Sequence, residues 1–283
     1  MGELLKPLIF SRHSCLLGDG LFASQEKAVS ISCDIVNLQD TTPYKVYVQF
    51  EPIEIVSDDS LVTNHGFYDL ILAWHDHILS TCPNAVKFVG QSEPCCRVFE
   101  GVLSCQEVCR VVSLPFLTIP LPEKKFSVSM LISEKRWLPG HIFRHEVFHR
   151  LPATFAGSIP IVKHVAPPHL TCGPRAQMIA ASQYCIAIEN SQWPGYFTEK
   201  ILDCFLTRTI PLYWGCPTID QYFNMDGVLR FQTYEELAQI LSTLTPESYA
   251  QRAVAIEDNY QRASEYWDVC SRISHVISRS VDR

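Results

Sequence analysis

Apolar residues along this chain gather into short runs of strand length, set apart by turns and by stretches of helical period. Lys6–Ser11 and Val29–Val36 predict strands, with a Gly18-Asp19-Gly20 turn between them. Tyr44–Phe50 alternates and places Tyr44, Val46, Val48 and Phe50 on one face. Tyr68–Trp74 and Ala85–Gly90 extend this first series. Leu114–Pro122 carries three prolines and predicts a crossover between domains. A second series follows: Phe126–Ile132, Ile161–Val165, Tyr184–Ile188, Ile210–Trp214 and Gly227–Phe231. Helices are predicted over Pro139–Leu151, over 198–209, over Tyr234–Leu244 behind a Thr233 cap, from Pro246, and over Tyr260–Ile277. Strands alternating with helices predict an α/β protein with parallel sheets.

The most informative stretch is Tyr184–Gly215. It reads as strand, loop, helix, strand. Glu189-Asn190-Ser191 follows the first strand, and Pro194-Gly195 makes a turn. The Thr198 hydroxyl can accept from a first-turn amide, and Ile201, Leu202, Phe205 and Leu206 share the helix face behind it. A unit of this kind takes ligands at the carboxyl ends of its strands, beside the helix N-terminus. Lys200 lies in the first helical turn, where the macrodipole disfavours a cation by about 0.3–1 kcal/mol. A bound diphosphate reverses that penalty, whereas a solvated lysine leaves it in place; local physics alone leaves both readings open.

Glu189-Asn190-Ser191, Tyr196, Thr198-Glu199-Lys200, Ile210-Pro211 and Gly215 together resemble the donor-binding signature of the α1,3-fucosyltransferases, glycosyltransferase family 10. The resemblance implies a GT-B fold: two facing Rossmann-like domains with a C-terminal helix crossing back. It places an acceptor-binding α/β domain over 1–118, a nucleotide-sugar domain over 123–258 and the crossing helix over 259–283. It implies an inverting transfer from a nucleotide-diphosphate sugar to a glycan hydroxyl, without a metal cofactor. GDP-fucose is the donor by resemblance; UDP-xylose would use the same cations. The implied donor residues are Arg144, Glu189, Asn190, Tyr196, Thr198, Glu199 and Lys200, with Lys135 and Arg136 as weaker phosphate candidates.

The family has a Phe-Glu-Ser-Pro element in its acceptor domain, and Phe50-Glu51-Pro52 is similar to it without the serine. Glu51 is thereby the candidate general base, taking the acceptor proton as its oxygen attacks. Asp76 and Glu93 are the substitutes, and His75 and Asp76 are expected to touch the acceptor. Arg144 suits the diphosphate because its fork of donors can hold two phosphate oxygens at once.

Composition narrows the setting. The chain has 283 residues and a net charge of −7, which predicts two domains and argues against a nucleic-acid partner. No apolar run approaches the ~20 residues of a membrane span, and no signal peptide or myristoylation site is expected. The twelve cysteines have no scaffold spacing, and none of the six asparagines heads a glycosylation sequon. A cytoplasmic protein is expected, a bacterial or viral relative of the membrane-anchored animal enzymes.

His145-Glu146-Val147-Phe148-His149 also matches HExxH, a zinc-hydrolase pattern. Arg150-Leu151-Pro152 breaks the helix where an extended zinc motif needs a glycine and a third histidine. A zinc hydrolase, and a silent glycan- or nucleotide-sugar-binding module, are the competing readings.

Overall fold

The computed structural model describes residues 22–23, 28–90, 121–157, 159–166, 175–266 and 269–281. The expected Lys6–Ser11 strand, the Gly18–Gly20 turn, Glu93 and most of Leu114–Pro122 lie outside these residues. The chain forms two compact units.

The first unit holds a five-stranded sheet: β1 (Phe22–Ala23), β2 (Ala28–Cys33), β3 (Tyr44–Val48), β4 (Leu70–Ala73) and β5 (Ala85–Lys87). The strands lie side by side in chain order. β2 to β5 are parallel, and β1 is antiparallel to β2. β4 reads Leu-Ile-Leu-Ala and is buried throughout, as a strand covered on both faces requires. The alternation in β3 divides two cores. Val46, Val48 and Phe50 pack with Val29, Leu70 and Leu72; Tyr47 packs oppositely with Leu61, Tyr68 and Ile71.

The expected Tyr260–Ile277 helix is two helices, Ala253–Ser264 and Val269–Val281. The second belongs to the first unit. Val269, Ile273 and Ile277 recur four apart and enter the core beside β2, β3 and β4. Arg272 fastens it further, donating to the carbonyls of Val89 (2.7 Å) and Gly90 (2.9 Å) with its guanidinium over Phe88.

The second unit holds a six-stranded sheet in the order β11-β10-β9-β6-β8-β7. Its strands are β6 (Lys125–Ile132), β7 (Thr154–Phe155), β8 (Ile159–Val165), β9 (Ser182–Ile188), β10 (Ile210–Trp214) and β11 (Leu229–Arg230). All pair in parallel except β7, which is antiparallel to β8. Val128, Met130, Tyr184, Ile186 and Leu212 meet Leu237 and Leu241 in its core. The helix expected over 198–209 spans Glu199–Leu206. It stops because Arg208 adopts φ 54°, a left-handed conformation that breaks the helical run. The Arg208 side chain is held there by Glu257 (3.0 Å) and lies over the Tyr260 ring. Among the described residues no helix is long and apolar enough to cross a membrane.

Candidate functional site

In the second sheet, β6 has β8 on one side and β9 on the other. The strand order therefore reverses between β6 and β9, and at such a switch point ligands bind beyond the carboxyl ends of the strands. Two loops meet there. Residues 133–138 follow β6 and lead into the Pro139–Arg150 helix; residues 189–198 follow β9 and lead into the Glu199–Leu206 helix.

The loops are held together by a close approach that only glycine permits. Gly140 donates its N–H to the Asn190 carbonyl at 2.9 Å. A Cβ on Gly140 would overlap the Glu189 carbonyl oxygen and come within 2.8 Å of the Asn190 oxygen. Gly215, just after β10, is also closely packed: a Cβ there would stand 2.4 Å from the Tyr213 hydroxyl and 2.5 Å from Glu189 Cγ.

Glu189 is 0% exposed, and both carboxylate oxygens serve Thr198. Oε1 accepts the Thr198 N–H at 2.8 Å, and Oε2 accepts its hydroxyl at 2.6 Å. Thr198 in turn caps the helix, its Oγ1 accepting the Lys200 N–H at 3.4 Å. The Lys200 ammonium closes the network, 3.0 Å from Thr198 Oγ1, 3.2 Å from Glu199 Oε1 and 3.5 Å from Glu189 Oε2. Burial pushes the Glu189 carboxyl above its ordinary range, and Lys200 pulls it back. The Glu189 carboxylate thus faces inward, where it shapes the turn that presents Lys200. Tyr196 is buried within this turn, and Glu199 is nearly so.

Arg144 reaches the same place from the Pro139–Arg150 helix. Its Nη2 donates to the Ile188 carbonyl and to Asn190 Oδ1 (3.3 Å). Burial works against its charge, while Glu189, Glu199 and Tyr196 favour it. The structure therefore brings together Arg144, Glu189, Asn190, Tyr196, Thr198, Glu199 and Lys200. Lys135 and Arg136 lie exposed on the 133–138 loop.

His141 was not among the expected residues. It is buried, and its Nδ1 accepts the Leu138 N–H at 3.3 Å, satisfying an amide at the helix start. Burial, then Arg144, Lys200 and Lys135, depress its pKa to about 4; a hydrogen bond with Asn190 opposes them. A histidine three residues beyond the first non-helical position was a legible signal, since that position can reach back to an unpaired amide.

The HExxH residues are engaged locally. His145 Nε2 donates to the Ser133 carbonyl (2.8 Å), which ties the helix to the end of β6. Glu146 pairs with Arg150 at 2.8 Å, one helical turn on. Among the described residues no group of three or more His, Cys, Asp and Glu side chains is arranged to hold a metal.

The remaining candidates lie in the first unit. Glu51 follows β3, and its N–H donates to Asp34 Oδ1 at 3.1 Å. Asp34 sits at φ 59° and also accepts the Phe50 N–H (2.7 Å). His75 pairs through Nδ1 with Asp58, and its N–H donates to Gln49 Oε1 (3.3 Å). Asp76 is exposed at the start of the Asp76–Thr81 helix.

Two α/β units built on parallel sheets define the GT-B class of glycosyltransferase folds. The fold is similar to a crystal structure of an α1,3-fucosyltransferase, with a TM-score of 0.51 and 14% identity over 87% of this chain and 80% of that one. Residues 154–271 match the family model described as glycosyltransferase family 10 (fucosyltransferase) C-terminal domain. An α-(1,3)-fucosyltransferase of Helicobacter pylori is 31% identical over 71 residues, 24% of this chain and 15% of that protein. A putative fucosyltransferase of Acanthamoeba polyphaga mimivirus is 38% identical over 48 residues, 17% of this chain and 8% of that protein. The matched stretches thus span a small part of both relatives. On these findings residues 154–271 are similar to the C-terminal domain of the family 10 fucosyltransferases, and the fold is similar to that of an α1,3-fucosyltransferase.

Proposed function

We propose that this protein is an inverting glycosyltransferase that moves a sugar from a nucleoside-diphosphate donor to a hydroxyl of a glycan acceptor. One observation carries the reading: a lysine stands in the first turn of the helix after β9, at the switch point, steadied by Glu189 and Glu199. The ammonium lies at the start of this helix, which suits the charge of a departing diphosphate. Arg144, buried behind Asn190, adds a fixed positive charge.

In the transfer, the acceptor oxygen attacks the anomeric carbon and its proton passes to a base. The bond from that carbon to the diphosphate oxygen breaks, and the diphosphate leaves with the electron pair. Lys200 and the helix N-terminus stabilise the charge that develops on it. Glu51 is the carboxylate proposed to take the proton, with His75 and Asp76 proposed to touch the acceptor. The names of the relatives favour a fucosyl donor, GDP-fucose is the form proposed by the motif's resemblance, and the chemistry described asks for no metal. Among the described residues Cys82, Cys185, Cys204 and Cys216 are buried free thiols, and a reducing, cytoplasmic setting is proposed on that ground.

A thermal-shift panel of GDP, UDP and their sugars tests the donor class, with GDP and GDP-fucose expected to stabilise the protein most. Lys200→Ala is expected to weaken GDP binding about 30-fold, as loss of a charge-assisted hydrogen bond does. Titration calorimetry reads the change. An unaltered dissociation constant removes Lys200 from the site, and a wild-type protein that binds no nucleotide ends the transferase reading.

A further inference from the structure

Trp137 stands mainly in solvent, at 63% exposed. It lies in the loop after β6, two residues ahead of the Pro139–Arg150 helix, and so beside the switch point. The ring is braced rather than loose. The buried imidazole of His141 meets it edge to face, with centroids 5.3 Å apart and planes at 80°. Lys135 Nζ lies 5.6 Å from the indole centroid.

An indole in water exposes a large apolar surface, and folded chains bury most of it when nothing else requires otherwise. Here the surroundings point to an occupant. Lys135, Arg144 and Lys200 all act on the charge of His141, so the imidazole that braces the indole lies in the field of three cations. Arg136 is exposed on the same loop. A flat apolar surface beside a cationic cluster fits a ligand that is flat at one end and anionic at the other.

We propose that Trp137 is the stacking platform for the nucleobase of a nucleoside diphosphate whose phosphates dock at Lys200. The inference rests on the donor site proposed above and adds the group that holds its far end. Every nucleobase offers a π-face, so Trp137 sets affinity and leaves the choice between guanine and uracil to other groups.

The test compares wild type, Trp137→Ala and Trp137→Phe by titration calorimetry with GDP, UDP and inorganic pyrophosphate. Trp137→Ala is expected to weaken GDP and UDP alike, by about 5- to 100-fold. Trp137→Phe keeps most of the affinity, because a phenyl ring also stacks. Pyrophosphate, which lacks a base, binds wild type and both variants equally. Undiminished GDP affinity in Trp137→Ala overturns the proposal. An equal loss for pyrophosphate also overturns it, because the ring then only shapes the loop. If wild type binds pyrophosphate but neither nucleotide, the stacking proposal falls. If it binds none of the three, the donor reading fails first and takes this one with it.

Discussion

Gly140→Ala is expected to destabilise the second unit by at least about 4 kcal/mol and to abolish nucleotide binding. The added methyl would occupy the place of the Glu189 carbonyl oxygen. Backbone is the obstacle on every side: the nearest atoms are the Glu189 carbonyl carbon and oxygen and the Asn190 oxygen. No side-chain rotation relieves that overlap, so the helix must move away from the 189–198 loop. Movement breaks the hydrogen bond from Gly140 to Asn190 and draws Arg144 off Ile188 and Asn190. It also strains the Glu189 pocket, in which the carboxylate is already buried. Urea unfolding followed by circular dichroism measures the loss, with GDP titration on whatever remains folded. Gly66 is the control, since a Cβ there meets nothing within 4 Å. Gly66→Ala is expected to stay within about 1 kcal/mol of wild type. A Gly140→Ala protein of wild-type stability would mean that the two loops do not lie as close as described.

The contrast between those glycines shows how the sequence could be read and where it could not. The stretch from Tyr184 to Leu206 was legible because its causes are local. An apolar strand, a Pro-Gly turn, a threonine cap and an apolar helix face each act within a few residues. The end of that helix was not legible: Arg208 is an ordinary helix former, and Glu257 and Tyr260, distant in the chain, hold it left-handed. The long C-terminal helix was misread for a related reason. Its apolar period continues past the point where the chain leaves one unit's core for the other's, and periodicity carries no record of which sheet a face covers. The resemblance placed Glu189 among the donor residues without fixing where its carboxylate points. The structure turns it inward onto Thr198, a direction that the loop's path decides. Gly140, His141 and Trp137 went unread because their partners come from the opposite loop or from the helix start they create. Pro139-Gly140 at a helix start was nevertheless a hint, since a glycine where an ordinary helix former would serve suggests a backbone passing close by.

His141 carries the second large effect, and it appears with pH. In the unfolded chain the imidazole titrates near 6.5; in the folded protein burial and the charges of Arg144, Lys200 and Lys135 hold its pKa near 4. Above pH 6.5 the ring is neutral in both states and contributes no pH dependence. Between 6.5 and 4 the unfolded chain takes up a proton that the folded protein refuses, so stability falls as pH falls. The loss is about 2 kcal/mol at pH 5 and levels off near 3 kcal/mol below pH 4. His141→Asn keeps an acceptor near the Leu138 amide and removes the titrating group, so this part of the acid sensitivity disappears. The measurement is the unfolding free energy of both proteins in urea at pH 7, 6 and 5. The gap between them is expected to shift toward the variant by the stated amount at pH 5, whatever the other carboxylates and histidines do to both curves equally. Parallel curves would show that the imidazole accepts its proton in the folded state. The three cations around it would then have to lie farther off, and the positive field that prepares this corner for a diphosphate would be weaker than the geometry implies.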